Sequence, residues 1–149
     1  MRDVNDVSRY KDLAVFECGK EDCVKSKAIS FSKKTYHLFH YVVSGKGTFI
    51  IENKQFQINP GTIFFIPKGY TSIYYADKEN PWTYIWVGFD GEVVEDYLAS
   101  IGLSISNPVI LDPSRKLKKY FDLIPSRYLT EGYIDISSLG ALYQLFGEL

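Results

Sequence analysis

Residues 36–91 read YHLFHYVVSGKGTFIIENKQFQINPGTIFFIPKGYTSIYYADKENPWTYIWVGFDG, and the punctuation of this stretch decides the fold. Apolar runs at 36–43, 48–51, 55–58, 62–66, 71–76 and 82–89 are rich in aromatic and β-branched residues, which favour a pleated, half-buried strand. Gln55-Phe56-Gln57-Ile58 alternates with the period of two that a strand requires. Between the runs lie turns: Ser44-Gly45-Lys46-Gly47, Glu52-Asn53-Lys54, Asn59-Pro60-Gly61, Pro67-Lys68-Gly69 and a polar tip from Asp77 to Pro81. In Asn59-Pro60-Gly61 the proline presets φ at the second turn position and the glycine accepts the positive φ that follows. Many short strands at near-regular spacing predict an antiparallel sandwich or barrel.

Upstream, 13–18 and 27–32 add two further strands. Downstream the period changes at Gly91. Val94, Tyr97, Leu98 and Ile101 recur at helical spacing, and Gly102 supplies a left-handed C-terminal cap. Asp112-Pro113 reads as an N-cap followed by proline at the first helical position, with Leu117, Tyr120, Phe121 and Ile124 on one face and Pro125 breaking or kinking the helix. After Gly132 a final apolar stripe runs through Ile136, Leu139, Leu142, Tyr143, Phe146 and Leu149. The chain stops inside that pattern without a cap or polar tail, as expected of a segment cut from a longer chain. The expected organisation is a mainly β barrel over 1–90 and a helical segment of the same domain over 91–149.

Composition narrows the function. The 149 residues carry 17 basic against 18 acidic side chains, a formal net charge of −1, which offers no basic field for phosphates. Arg115 to Lys119 is a short basic run that reads as a solvated helix face. No run approaches the roughly 20 apolar residues that span a bilayer, and no secretory signal opens the chain, so the cytoplasm is the expected compartment. Cys18 and Cys23 lack CxxC spacing and read as two reduced thiols. His37 and His40, three apart in one strand, point to opposite faces and cannot pair on a metal; the expectation is one exposed and one lining the interior. Glu17, Glu52 and Asp77 read as exposed turn or strand-end charges. No GxSxG, Walker loop or GxGxxG is present. Neither a metal nor another cofactor is expected. Aromatic abundance (12 Tyr, 10 Phe, 2 Trp) is the unusual feature.

Gly61, Pro67, Gly69, Ser72 and Ala76 fall on the spacing G-x5-P-x-G-x2-H-x3-N, so the segment resembles the second motif of the cupin superfamily, with Ser72 in place of its histidine and Ala76 in place of its asparagine. The HxH and Glu of the first motif are absent too. The resemblance therefore implies a cupin-like antiparallel barrel (a double-stranded β-helix, or jelly roll) without the metal ligands. Val43-Ser44-Gly45-Lys46-Gly47, the Pro60-Gly61 to Pro67 block, Tyr75-Ala76-Asp77 and Pro81-Trp82-Thr83-Tyr84-Ile85-Trp86-Val87-Gly88-Phe89 together resemble the N-terminal ligand-sensing domain of AraC-type bacterial transcription regulators.

That resemblance implies a small effector, often a sugar, contacted by His40, Ser44, Tyr74, Tyr84 and Trp86. Ser44 departs from the long cation of the arabinose-responsive member, which implies a different ligand. It also implies homodimerisation through C-terminal helices, with Leu139, Leu142, Tyr143 and Phe146 as the candidate face, and DNA binding only through a helix-turn-helix domain beyond Leu149. Independently, alternation along a strand puts His40, Val42 and Ser44 on one face and Tyr84 with Trp86 on another. Aromatic faces beside hydroxyls and an imidazole suit a sugar's C–H faces and directional hydroxyls. The alternatives are a degenerate cupin enzyme such as a sugar isomerase, a barrel whose aromatics are only core, and a dimerisation module without a ligand.

Overall fold

A computed structural model describes residues 12–23, 30–128 and 136–149. Its elements are β1 (Ala14–Asp22), β2 (Ser30–Ser32), β3 (His37–Ser44), β4 (Gly47–Ile51), β5 (Lys54–Ile58), β6 (Thr62–Ile66), β7 (Ser72–Ala76), β8 (Thr83–Asp90), α1 (Val94–Ile101), β9 (Val109–Leu111), α2 (Lys118–Tyr128) and α3 (Ile136–Glu148). Each of the eight strands expected from sequence is present, the second only in its described part.

The strands form two sheets, ordered β1-β8-β3-β6-β9 and β2-β7-β4-β5. The tight β4–β5 hairpin, with Glu52 and Asn53 both at positive φ (49° and 61°), is the tip of one long hairpin. Its arms pair antiparallel as β3–β6, β2–β7 and β1–β8, and the coil closes through β3–β8 and β4–β7. The chain thus changes sheet at every connection among β1 to β8 except the hairpin itself, which is jelly-roll winding. At the Pro60-Gly61 turn Gly61 has φ 75°, as its turn chemistry predicts.

Alternation along β3 divides the interior. Leu38 and Val42 join Phe49, Ile51, Ile58, Phe64, Ile66 and Trp82 in a core between the sheets. Phe39 and Tyr41 face the other way, where Ile63, Phe65, Val87 and Phe89 are covered by Leu98 of α1, Phe121 and Ile124 of α2, and Leu142, Leu145 and Phe146 of α3. The molecule therefore has three layers: sheet, sheet, helices.

Four local expectations differ. The segment after Gly91 is not purely helical, because β9 returns to pair with β6. Asp112 and Pro113 do not open a helix; Arg115 takes φ 62° and α2 begins at Lys118. Instead the buried Asp112 carboxylate accepts from the Leu117 N–H (3.0 Å) and the Tyr41 hydroxyl (2.9 Å). Pro125 lies inside α2 without ending it, since Phe121 and Ile124 in the turn that precedes it are fully buried. Finally, both histidines are buried, because the helical layer covers the face that His37 shares with Phe65 and Phe89.

Candidate functional site

A cavity of about 340 Å³ opens between the two sheets, walled by β1, β2, β3, β7 and β8 and by Lys34 from the segment between β2 and β3. His40 from β3 is fully buried and stacked flat on Phe64, ring centroids 4.5 Å apart. Tyr74 of β7 and Tyr84 of β8 close on the same imidazole at 4.9 and 5.1 Å, and Trp86 lies 6.0 Å beyond Tyr84. Gly19 on β1 is directly opposite Trp86, and a Cβ there would stand 2.5 Å from the indole, so only glycine lets the ring lie across that strand.

The polar groups are deliberate in their chemistry. Burial alone pulls His40 down to about 3, so the imidazole is neutral at working pH. Its Nδ1 is buried with no hydrogen-bond partner among the described residues. Tyr74 is pushed up to about 12, first by burial and then by Glu17 and Glu21; Tyr84 is raised by burial, then by Tyr74, Cys23 and Glu21. Both phenols therefore remain protonated, and the Tyr84 hydroxyl donates a hydrogen bond to Glu21 Oε2 at 3.1 Å. Among the described residues no group of three His, Cys, Asp or Glu side chains gathers as a metal site.

Of the five residues singled out from sequence, His40, Tyr74, Tyr84 and Trp86 line this cavity. Ser44 does not. A bulge between Val42 and Ser44 breaks the alternation that would place it beside them, and Ser44 is exposed at the strand end. Sequence reading missed Glu17, Glu21 and Lys34, which line the cavity too. Glu17 is half-buried rather than an exposed strand-end charge. The signal was the alternation Glu17, Gly19, Glu21, which puts both carboxylates on one strand face about a glycine.

A second cavity of about 400 Å³ lies on the helical side, between the end of the first sheet and α1, and holds none of those five residues. His37 borders it. Its Nδ1 accepts from the Lys68 N–H (3.1 Å), which leaves the proton on Nε2, 3.4 Å from Glu95. Burial lowers its pKa against the opposing pull of Asp90 and Glu95.

The comparison with known families follows this architecture along nearly the whole chain. The model of the AraC-like ligand binding domain matches residues 17–146. The chain belongs to that family. Relatives include the Msm operon regulatory protein of Streptococcus mutans, 32% identical over 98 residues (66% of this chain, 35% of that one). The lactose operon transcription activator of Staphylococcus xylosus is 28% identical over 113 residues, 76% of this chain and 40% of that one. The raffinose operon transcriptional regulatory protein of Pediococcus pentosaceus is 34% identical over 153 residues, 94% of this chain and 55% of that one. The chain thus spans about a third to about half the length of these curated relatives.

Within this AraC-like domain the candidate dimerisation residues divide. Leu142 is fully buried and Phe146 is 7% exposed, both packed inside the chain, and Leu139 is half-buried against the same core. Tyr143 is 38% exposed and faces outward with Ile136 at 77%.

Proposed function

We propose that this domain is the effector-sensing and dimerisation part of a cytoplasmic transcription regulator, and that its effector is a neutral carbohydrate held between the sheets. A helix-turn-helix domain beyond Leu149 carries DNA binding in this reading, and the sensed sugar controls it. The observation that carries the proposal is the cavity itself. A stacking wall of Tyr84 and Trp86 faces sugar C–H groups, while two phenols, a neutral imidazole and two carboxylates offer donors and acceptors for hydroxyls. The relatives' names, which include lactose and raffinose operons, point the same way. Against the alternative of a degenerate cupin enzyme stands the proton affinity of His40: a base that titrates at about 3 abstracts no proton efficiently near neutrality.

Isothermal titration with galactose, lactose and raffinose tests the proposal. At least one should bind, and Trp86→Ala should weaken that binding by about tenfold or more while leaving the circular dichroism spectrum unchanged. Unaltered affinity in the variant would remove Trp86 from the site.

A further inference from the structure

We propose that Gly19 is a positioning residue of this cavity: by leaving room over β1 for the Trp86 indole, it sets where the stacking wall stands and how a sugar face can lie against it. The inference rests on the carbohydrate reading above. A glycine inside a strand weakens the strand, and it ordinarily marks a left-handed backbone, a bulge or a close approach. The first two do not hold for Gly19. Among the described residues the positive-φ glycines are Gly45, Gly61, Gly69, Gly91 and Gly102. The β1–β8 register runs unbroken from Glu17 opposite Gly88 to Asp22 opposite Thr83, and its one shift comes earlier, between Val15 and Glu17. The close approach remains, and its partner is Trp86, directly across the pairing.

A Cβ at Gly19 would meet Cη2, Cζ2 and Cζ3 of the indole at 2.5, 2.6 and 3.1 Å, so the far edge of the six-membered ring lies over this glycine. These atoms belong to a rigid ring. They yield only if χ1 or χ2 turns and the whole indole follows, as happens when a methyl group is forced into a packed contact. The indole lines the cavity together with His40, Tyr74 and Tyr84, so any such turn moves the wall on which a sugar stacks. A methyl group at position 19 thus alters recognition through Trp86, without touching the ligand.

The test is a double-mutant cycle between Gly19→Ala and Trp86→Phe. Titration calorimetry reads the affinity for galactose, lactose and raffinose, and acrylamide quenching reads the indole. Trp82 is 1% exposed, so quenching reports Trp86. Gly19→Ala should weaken the sugar that the wild type binds by about tenfold or more and shift the quenching constant. Phenylalanine keeps a stacking face and lacks the outer ring atoms that meet the added methyl group. In the Trp86→Phe chain the same Gly19→Ala change should therefore cost less than about twofold. That rescue separates positioning through the indole from a general weakening of β1. If Gly19→Ala alone does not fold, adding Trp86→Phe should restore the circular dichroism spectrum, and a pair that stays unfolded would overturn the inference. Sugar binding that is equal in Gly19→Ala and wild type, or that falls by the same factor with either ring at position 86, would also overturn it and leave the carbohydrate reading standing. Failure of the wild type to bind any sugar would instead remove that reading, and the part of Gly19 in recognition with it.

Discussion

His40 is a group whose neutral form the fold requires. With a folded value of about 3 against 6.5 unfolded, the unfolded chain takes up a proton between those limits and the native chain does not. Stability is therefore complete above pH 6.5 and falls on acidification, by up to about 1.4 kcal/mol per pH unit for this one group. Melting temperature should decline from pH 7 to pH 4, and His40→Phe, which preserves the stack on Phe64, should flatten the decline. His37, also lowered, leaves a residual slope in the variant. An identical slope with and without His40 would show that the imidazole is not held neutral. At this scale the sequence disclosed the aromatic wall, since alternation alone puts Tyr84 and Trp86 together. It hid the carboxylates, because a lone Glu on a strand is most simply solvated and only the neighbouring Gly19 hints that something lies across it. It misplaced Ser44, because a bulge inserts one residue without any mark in composition.

Between elements, Asp112 joins the central strand of the first sheet to the start of α2. One buried carboxylate oxygen accepts from Tyr41 on β3 and from the Leu117 N–H just before the helix. Asp112→Ala leaves two buried donors unpaired and should cost about 2–4 kcal/mol in urea denaturation, whereas Tyr41→Phe should cost about 1 kcal/mol. The two losses should be non-additive in a double-mutant cycle, and strict additivity would show that the bond contributes nothing. The turn chemistry made this architecture readable: turn residues separated the six strands from β3 to β8, and Gly102 ended α1 in the expected left-handed cap, φ 75°. The helix start at Asp112 was misjudged because an acceptor side chain before a helical stripe looks the same whether it caps the first turn or spans a longer loop. Pro125 does not break α2, because tertiary packing outweighs the loss of one helical hydrogen bond. The Ser138 hydroxyl, donating to the Ile124 carbonyl at 2.7 Å, secures that turn from α3.

Seen whole, the molecule has more apolar surface on α3 than its own core covers. The stripe Ile136, Leu139, Leu142, Tyr143, Phe146 and Leu149 is too wide for one seam, and the inner part is spent on the sheet: Leu142 and Leu145 are fully buried. What remains outward is Ile136, Gly140, Tyr143 and Gly147, all exposed and spaced i, i+4, i+7 and i+11 along one helix face. A Cβ on either glycine would meet nothing within 4 Å among the described residues, so no contact there calls for glycine, at a helix cost of about 1 kcal/mol each. Glycines between two apolar side chains let a second helix approach closely, and a two-fold pairing would cover Ile136 and Tyr143 at once. Sedimentation of the wild-type domain at micromolar concentration should therefore show a reversible dimer. Ile136→Asp with Tyr143→Asp should raise its dissociation constant at least tenfold while the monomer stays folded, and Gly140→Leu should do the same by bulk alone. Leu142→Asp tests something else, since a charge in the intramolecular core should unfold the domain rather than separate two folded copies. A wild-type mass that stays monomeric across the concentration range, or a dimer indifferent to all three outward changes, would place association elsewhere on the surface.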